Sequence, residues 1–146
     1  MSLATDSIFI AAIQSNPALV EWIGGRLYDT AIPLPDEDAD NVDVPYIIVT
    51  FNGLNNQNQT KDDVYEGSYD TVNIGVEVTG KTIKDLHELT QAVRDTILGY
   101  FREHETAVSD YTFSADAIQY DSLKPCYWQT LRYQCEVYNL NDDEQD

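Results

Sequence analysis

The sequence predicts an α+β fold: a mainly antiparallel sheet of about four strands, with one long and two short helices packed on one face. Three observations carry this. Val72, Ile74, Val76 and Val78 alternate with Thr71, Asn73, Gly75 and Glu77, the period-two pattern of a strand with one buried face. Just beyond Gly80, Ile83, Leu86, Thr90, Val93, Ile97 and Tyr100 recur at spacings of three and four, which predicts an amphipathic helix of about five turns lying on that sheet. Further on, Leu131, Tyr133, Cys135 and Val137 alternate again, so strands resume after the helix.

The elements follow in order. Thr5 or Asp6 is placed to cap a first short helix carrying Ile8, Phe9, Ala12 and Ile13. Pro17 suits the first position of a second helix, which should turn Leu19, Val20 and Trp22 inward and end at Gly24 and Gly25. Arg26 to Tyr28 reads as a short extended piece, and Pro33 to Val44 as an acidic loop. Pro45 then opens a strand in which Ile47, Val49 and Phe51 alternate with Tyr46, Ile48 and Thr50. Apolar character on both faces predicts cover on both sides, by helices or by a partner chain. Asn52 to Asp63 is rich in Asn and Gln and reads as a projecting loop. Thr82, with Asp85 in the first turn, should cap the long helix. Tyr111, Phe113, Ala115 and Ala117 predict a third strand, and Pro125 separates it from the fourth. Residues 1–140 are expected to form one domain and 141–146 a disordered acidic tail.

This order of pieces resembles the bacteriophage tail-completion or tail-terminator family, small proteins that also occur in prophages. The resemblance covers roughly Ile8 to Phe101 and rests on Gly25, Tyr28, Pro45, Tyr46 and the strand ahead of the long helix. It implies a structural virion-assembly protein that closes as a homo-oligomeric ring, with six subunits the expected number. The ring would sit at the head-proximal end of a long tail tube, joining tail to head and contacting the tube and connector proteins. The chain departs from the family pattern in the long loop at residues 54–67 and in its acidity.

Charge narrows the function further. With 26 acidic residues against 8 basic ones and a net charge of −18, the surface disfavours a direct grip on a phosphate backbone or an anionic membrane. Two relations with DNA remain: a lumen of carboxylates past which DNA slides, or an acidic mimic of DNA that inhibits a DNA-binding protein. For the first, Asp62, Asp63, Glu66 and Asp70 are the candidate lumen or contact residues. Tyr111, Tyr120, Tyr127, Trp128, Tyr133 and Tyr138 crowd the last two strands, which favours an oligomer. Tyr46, Ile48, Tyr127, Trp128 and Tyr138 are the candidate subunit-interface residues, with apolar contact expected to dominate over ion pairs. A ring of such chains concentrates negative charge, so closure should be aided by salt or divalent cations.

No catalysis is expected. Asp36, Asp38 and Asp40 have the alternation of a calcium loop, but Asn41 stands where the turn needs Gly and Ile47 where it needs Glu. His87 and His104 lie too far apart along a helix to share a metal, and no Ser or Cys sits in a nucleophile motif, so neither metal nor cofactor is predicted. Cys126 and Cys135 fall on one predicted strand, about 30 Å apart at roughly 3.3 Å per residue, and should not bridge. The chain start lacks a basic segment and no apolar run approaches a membrane span, so the expected location is the bacterial host cytoplasm and then the virion tail.

Overall fold

A computed structural model describes residues 2–35, 42–56 and 69–138. After a 3₁₀ turn at Ser2–Ala4 come α1 (Thr5–Gln14), α2 (Pro17–Trp22), β1 (Leu27–Asp29), β2 (Ile47–Asn56), β3 (Tyr69–Gly80), α3 (Ile83–Glu103), β4 (Val108–Ala115), β5 (Gln119–Asp121) and β6 (Cys126–Tyr138). One sheet holds all six strands in the order β1-β2-β3-β6-β4, with β5 on β6. Every pairing is antiparallel except β1 on β2. The four predicted strands are there, together with two three-residue strands, β1 and β5, too short to show a period.

The core lies between one sheet face and the helices. Val72, Ile74, Val76 and Val78 of β3 and Leu131, Tyr133, Cys135 and Val137 of β6 are all buried on that face. Over them pack Phe9, Ala12 and Ile13 of α1 and Leu86, Leu89, Val93 and Ile97 of α3. An aromatic knot joins four elements: the Tyr133 ring lies 5.0 Å from Phe9, 5.5 Å from Tyr111 and 5.2 Å from Phe113, and Phe101 lies 5.3 Å from Phe9. Tyr133 thus belongs to the core and Tyr111 packs against it, so these two of the clustered aromatics serve the fold.

Local chemistry sets the helix ends. Thr82 caps α3, its hydroxyl accepting from the Asp85 N–H at 3.0 Å. The side chain of Asn16 caps α2 ahead of Pro17, and Gly24 and Gly25 end it with φ of 62° and 73°. α1 differs from expectation. Its N-cap is Ala4, without a side-chain cap, because the 3₁₀ turn carries the chain into the helix and buries Thr5 inside it.

Three further expectations are corrected. Trp22 is 43% exposed, because Leu19 of α2 and Ile23 just after it take the inward positions. Ile83 is 47% exposed at the first residue of α3, and Leu89 fills the buried stripe in its place. Asn52 to Asn56 continue β2 rather than starting a loop: a bulge at Gly53, with φ of 129°, shifts the register, and pairing with β3 then resumes as far as Asn56 and Asp70. At the other end, β4 stops at Ala115, before Ala117.

Candidate assembly surface

All three helices pack on one face of the sheet, so strand register defines the other. Across it run Tyr28, Ile48, Glu77 and Thr130, then Thr50, Gly75, Arg132 and Ser114, then Asn73, Gln134 and Thr112. Asn73, Thr112, Ser114, Arg132 and Gln134 are exposed, so helices cover one face only. Cover on both faces of β2, as its sequence suggests, is not met within a single chain: Tyr46 and Ile48 are half-buried on the uncovered side.

The middle of this face is a shallow polar cavity of about 420 Å³, lined by Asn52, Asn73, Thr112, Ser114, Arg132 and Gln134 with neighbouring backbone. Gly75, beside it, leaves room for the side chains of Asn52 and Thr50. A Cβ there would come within 2.6 Å of Asn52 Nδ2 and 2.9 Å of Thr50 Oγ1. Arg132 is held by Asp116, its Nε donating to the two carboxylate oxygens at 2.8 and 2.9 Å, and this contact keeps the Asp116 carboxyl below the usual range. Amides, hydroxyls and one neutralised ion pair make a hydrogen-bonding surface. Among the described residues no three His, Cys, Asp or Glu side chains gather as a metal site.

One end of the face is aromatic. Tyr28 and Tyr46 meet edge to face at 6.4 Å, and the Lys124 ammonium lies 5.1 Å from the Tyr46 ring centre while donating to the Val42 carbonyl. Lys124 belongs to the β5–β6 turn, where Asp121 Oδ1 accepts from the backbone N–H groups of Leu123 and Lys124 at 3.0 and 3.3 Å. That bracing holds Leu123 out in solvent, 96% exposed. Glu77, half-buried in mid-sheet, has its carboxyl raised above the usual value by desolvation. At the far end, Tyr69 and Tyr138 form an exposed edge-to-face pair at 5.2 Å.

Of the candidate interface residues, Tyr46, Ile48, Trp128 and Tyr138 share the uncovered face. Tyr127 does not: it falls at an odd position of β6, on the helix side, against the core and Tyr120. Of the candidate lumen residues, Asp62, Asp63 and Glu66 lie outside the described residues. Asp70 is only 5% exposed, and its Oδ1 accepts from Asn56 Nδ2 at 2.6 Å. Asp70 therefore closes the β2–β3 ladder instead of presenting charge to solvent. Sequence reasoning overlooked Leu123, for which the only signal was an apolar residue between a turn-forming Asp and a Pro.

Cys126 and Cys135 are both free and buried, and burial pushes the Cys135 thiol up to about 12. No helix of the described residues is long and apolar enough to cross a membrane.

No protein-family model matches the chain, and no curated protein is similar to it in sequence. Among solved structures, its fold is similar to that of a chain in the virion of a native gene transfer agent (GTA) particle. The TM-score is 0.58 and the identity 12%, over 90% of this chain and 92% of that one.

Proposed function

We propose that this chain is a structural protein of a phage-like particle, a tail-terminator-like component that closes as a ring at the head-proximal end of the tail tube and joins tail to head. The observation that carries this is the fold shared along nearly the whole chain with a component of a GTA virion. The uncovered sheet face, with its aromatic end and exposed Leu123, supplies surface for contact with copies or neighbours. In this reading the role is one of assembly, with no reaction catalysed.

The charge of −18 supplies the second half of the mechanism. Carboxylates around a lumen repel phosphates, so DNA passes without adhering. Asp62, Asp63 and Glu66 remain the lumen candidates. Asp70 leaves the set because its carboxylate is engaged by Asn56. The rival reading, an acidic DNA mimic that inhibits a DNA-binding protein, draws on the same charge but gains nothing from the fold.

Sedimentation across protein concentration, with and without magnesium, tests the ring. A discrete ring-sized species is expected. A chain that stays monomeric throughout, and that is captured one-to-one by basic DNA-binding proteins, would move the assignment to the mimic. Replacing Asp62, Asp63 and Glu66 with Lys should slow DNA delivery without changing the fold; unchanged infectivity would remove the lumen role.

A further inference from the structure

The basic residues of this chain are few, eight in all, and three of them are visibly engaged. Arg26 donates to the Pro45 carbonyl, Lys124 to Val42, and Arg132 pairs with Asp116 in the only ion pair among the described residues. Lys81 and Lys84, at the start of α3, are exposed without an ion pair among the described residues, and so are Arg94 and Arg102. The two arginines stand eight residues apart on α3, about 12 Å along its axis, with half-buried Leu98 between them. Both are exposed, yet in a chain with 26 acids neither has a carboxylate partner among the described residues. The Arg94 guanidinium lies over the Phe113 ring at 4.1 Å, which holds it at the seam between α3 and β4. Beside Arg102 the seam opens into a groove of about 180 Å³ lined by Leu98, Phe101, Val108 and Tyr111. Asp110, on the groove lip, turns its carboxylate back to its neighbour's backbone, accepting from the Tyr111 N–H at 2.8 Å.

The opposite edge of the sheet carries the complementary feature. β1 is one edge and β4 the other. On the β1 edge, α1 packs beside β1 and brings the Asp6 carboxyl within hydrogen-bonding reach of the Asp29 carboxyl, and among the described residues neither has an ion-pair partner. Asp29 is exposed and accepts from the Thr30 hydroxyl at 3.1 Å. Two carboxyl groups held together either share a proton or draw a cation to them.

We propose that the α3–β4 seam of one copy receives the β1 edge of a second copy, with Asp6 and Asp29 seated between Arg94 and Arg102 over Leu98. Because the two surfaces lie on opposite edges of one sheet, the contact is heterologous, and repeated contacts close a ring or extend a filament. The inference rests on the ring reading and gives it a direction of assembly. It also adds an ion-pair cluster to an interface expected to be apolar. Its role is to select register and partner, because the other exposed cations without an ion pair among the described residues, Lys81 and Lys84, lie at the opposite end of α3.

The test uses two full-length variants, Arg94→Glu/Arg102→Glu and Asp6→Lys/Asp29→Lys, with Arg102→Gln as a milder third whose melting temperature checks the fold. By sedimentation the charge-reversal variants should each stay monomeric, and Arg102→Gln should associate about tenfold more weakly than wild type. Mixing the two reversal variants should restore association, because each then meets an edge of opposite sign. Wild-type rings with unaffected variants overturn this interface while leaving the ring intact. A wild-type chain that never associates overturns both readings. Duplex DNA captured by the seam, and lost in Arg94→Glu/Arg102→Glu, would assign the arginines to phosphate and overturn the proposal.

Discussion

Tyr133→Phe should stabilise the protein. The Tyr133 side chain is 2% exposed, and its hydroxyl has no hydrogen-bond partner among the described residues. Burying an unsatisfied hydroxyl costs about 1–3 kcal/mol. Phenylalanine keeps the ring contacts to Phe9, Tyr111 and Phe113, and removes only the oxygen. A void of about 10 Å³ left behind costs about 0.2 kcal/mol. The net expectation is a gain of about 1 kcal/mol, or about 2–4 °C in melting temperature for a domain of this size. Urea unfolding should show a higher midpoint at unchanged slope. Burial also raises the Tyr133 hydroxyl above the ordinary tyrosine value. A group whose folded-state value is raised contributes stability below its unfolded value, near pH 10, and loses it as pH rises through the folded value. The advantage of Tyr133→Phe should therefore widen above about pH 10. A lowered midpoint at neutral pH would refute the reasoning, since it would mean the hydroxyl is paired in the native state.

Gly80→Ala should destabilise by about 1–3 kcal/mol in urea unfolding, as overpacking against fixed groups does. The new Cβ would lie 2.8 Å from the Leu86 backbone N and 3.0 Å from its Cα, neither of which can swing aside. Glu77→Gln should raise the melting temperature at neutral pH, because burial disfavours the charged carboxylate of the wild type. That advantage should close as pH falls through the raised Glu77 value; an advantage that grew with acidity would reverse the assignment.

What the sequence disclosed depended on how many residues shared each signal. β3 and β6 were legible because strict alternation over four or more residues matches a strand covered on one face. α3 was legible from its Thr82 cap and periodic stripe. Ile83 misled because the first helical residue satisfies the spacing yet lies beyond the sheet it would pack on. Asn52 to Asn56 misled because their polarity suits an uncovered face as well as a loop, and a bulge disguises the period. The aromatic residues misled in part: position decides whether a tyrosine joins the core, as Tyr133 does, or the open face, as Tyr138 does. Tyr46, Ile48, Trp128 and Tyr138 share a face, while Tyr127 falls on the other because neighbours along a strand point to opposite sides. The Arg94–Arg102 seam was not legible, since it exists only once β4 lies beside α3.

The position of β6 constrains how the protein is made. It is the last of the six strands in chain order, yet it lies between β3 and β4 and pairs with β3 along twelve consecutive residues, from Tyr138 against Tyr69 to Tyr127 against Gly80. A nascent chain that has not yet released β6 has β3 open along that edge and β4 without a neighbour. Folding must therefore wait for contacts about sixty residues apart, a topology that slows the search and exposes strand edges meanwhile. The same delay keeps the open face unfinished to the end, because Tyr138, Trp128 and the β4 seam take their places only when that strand arrives.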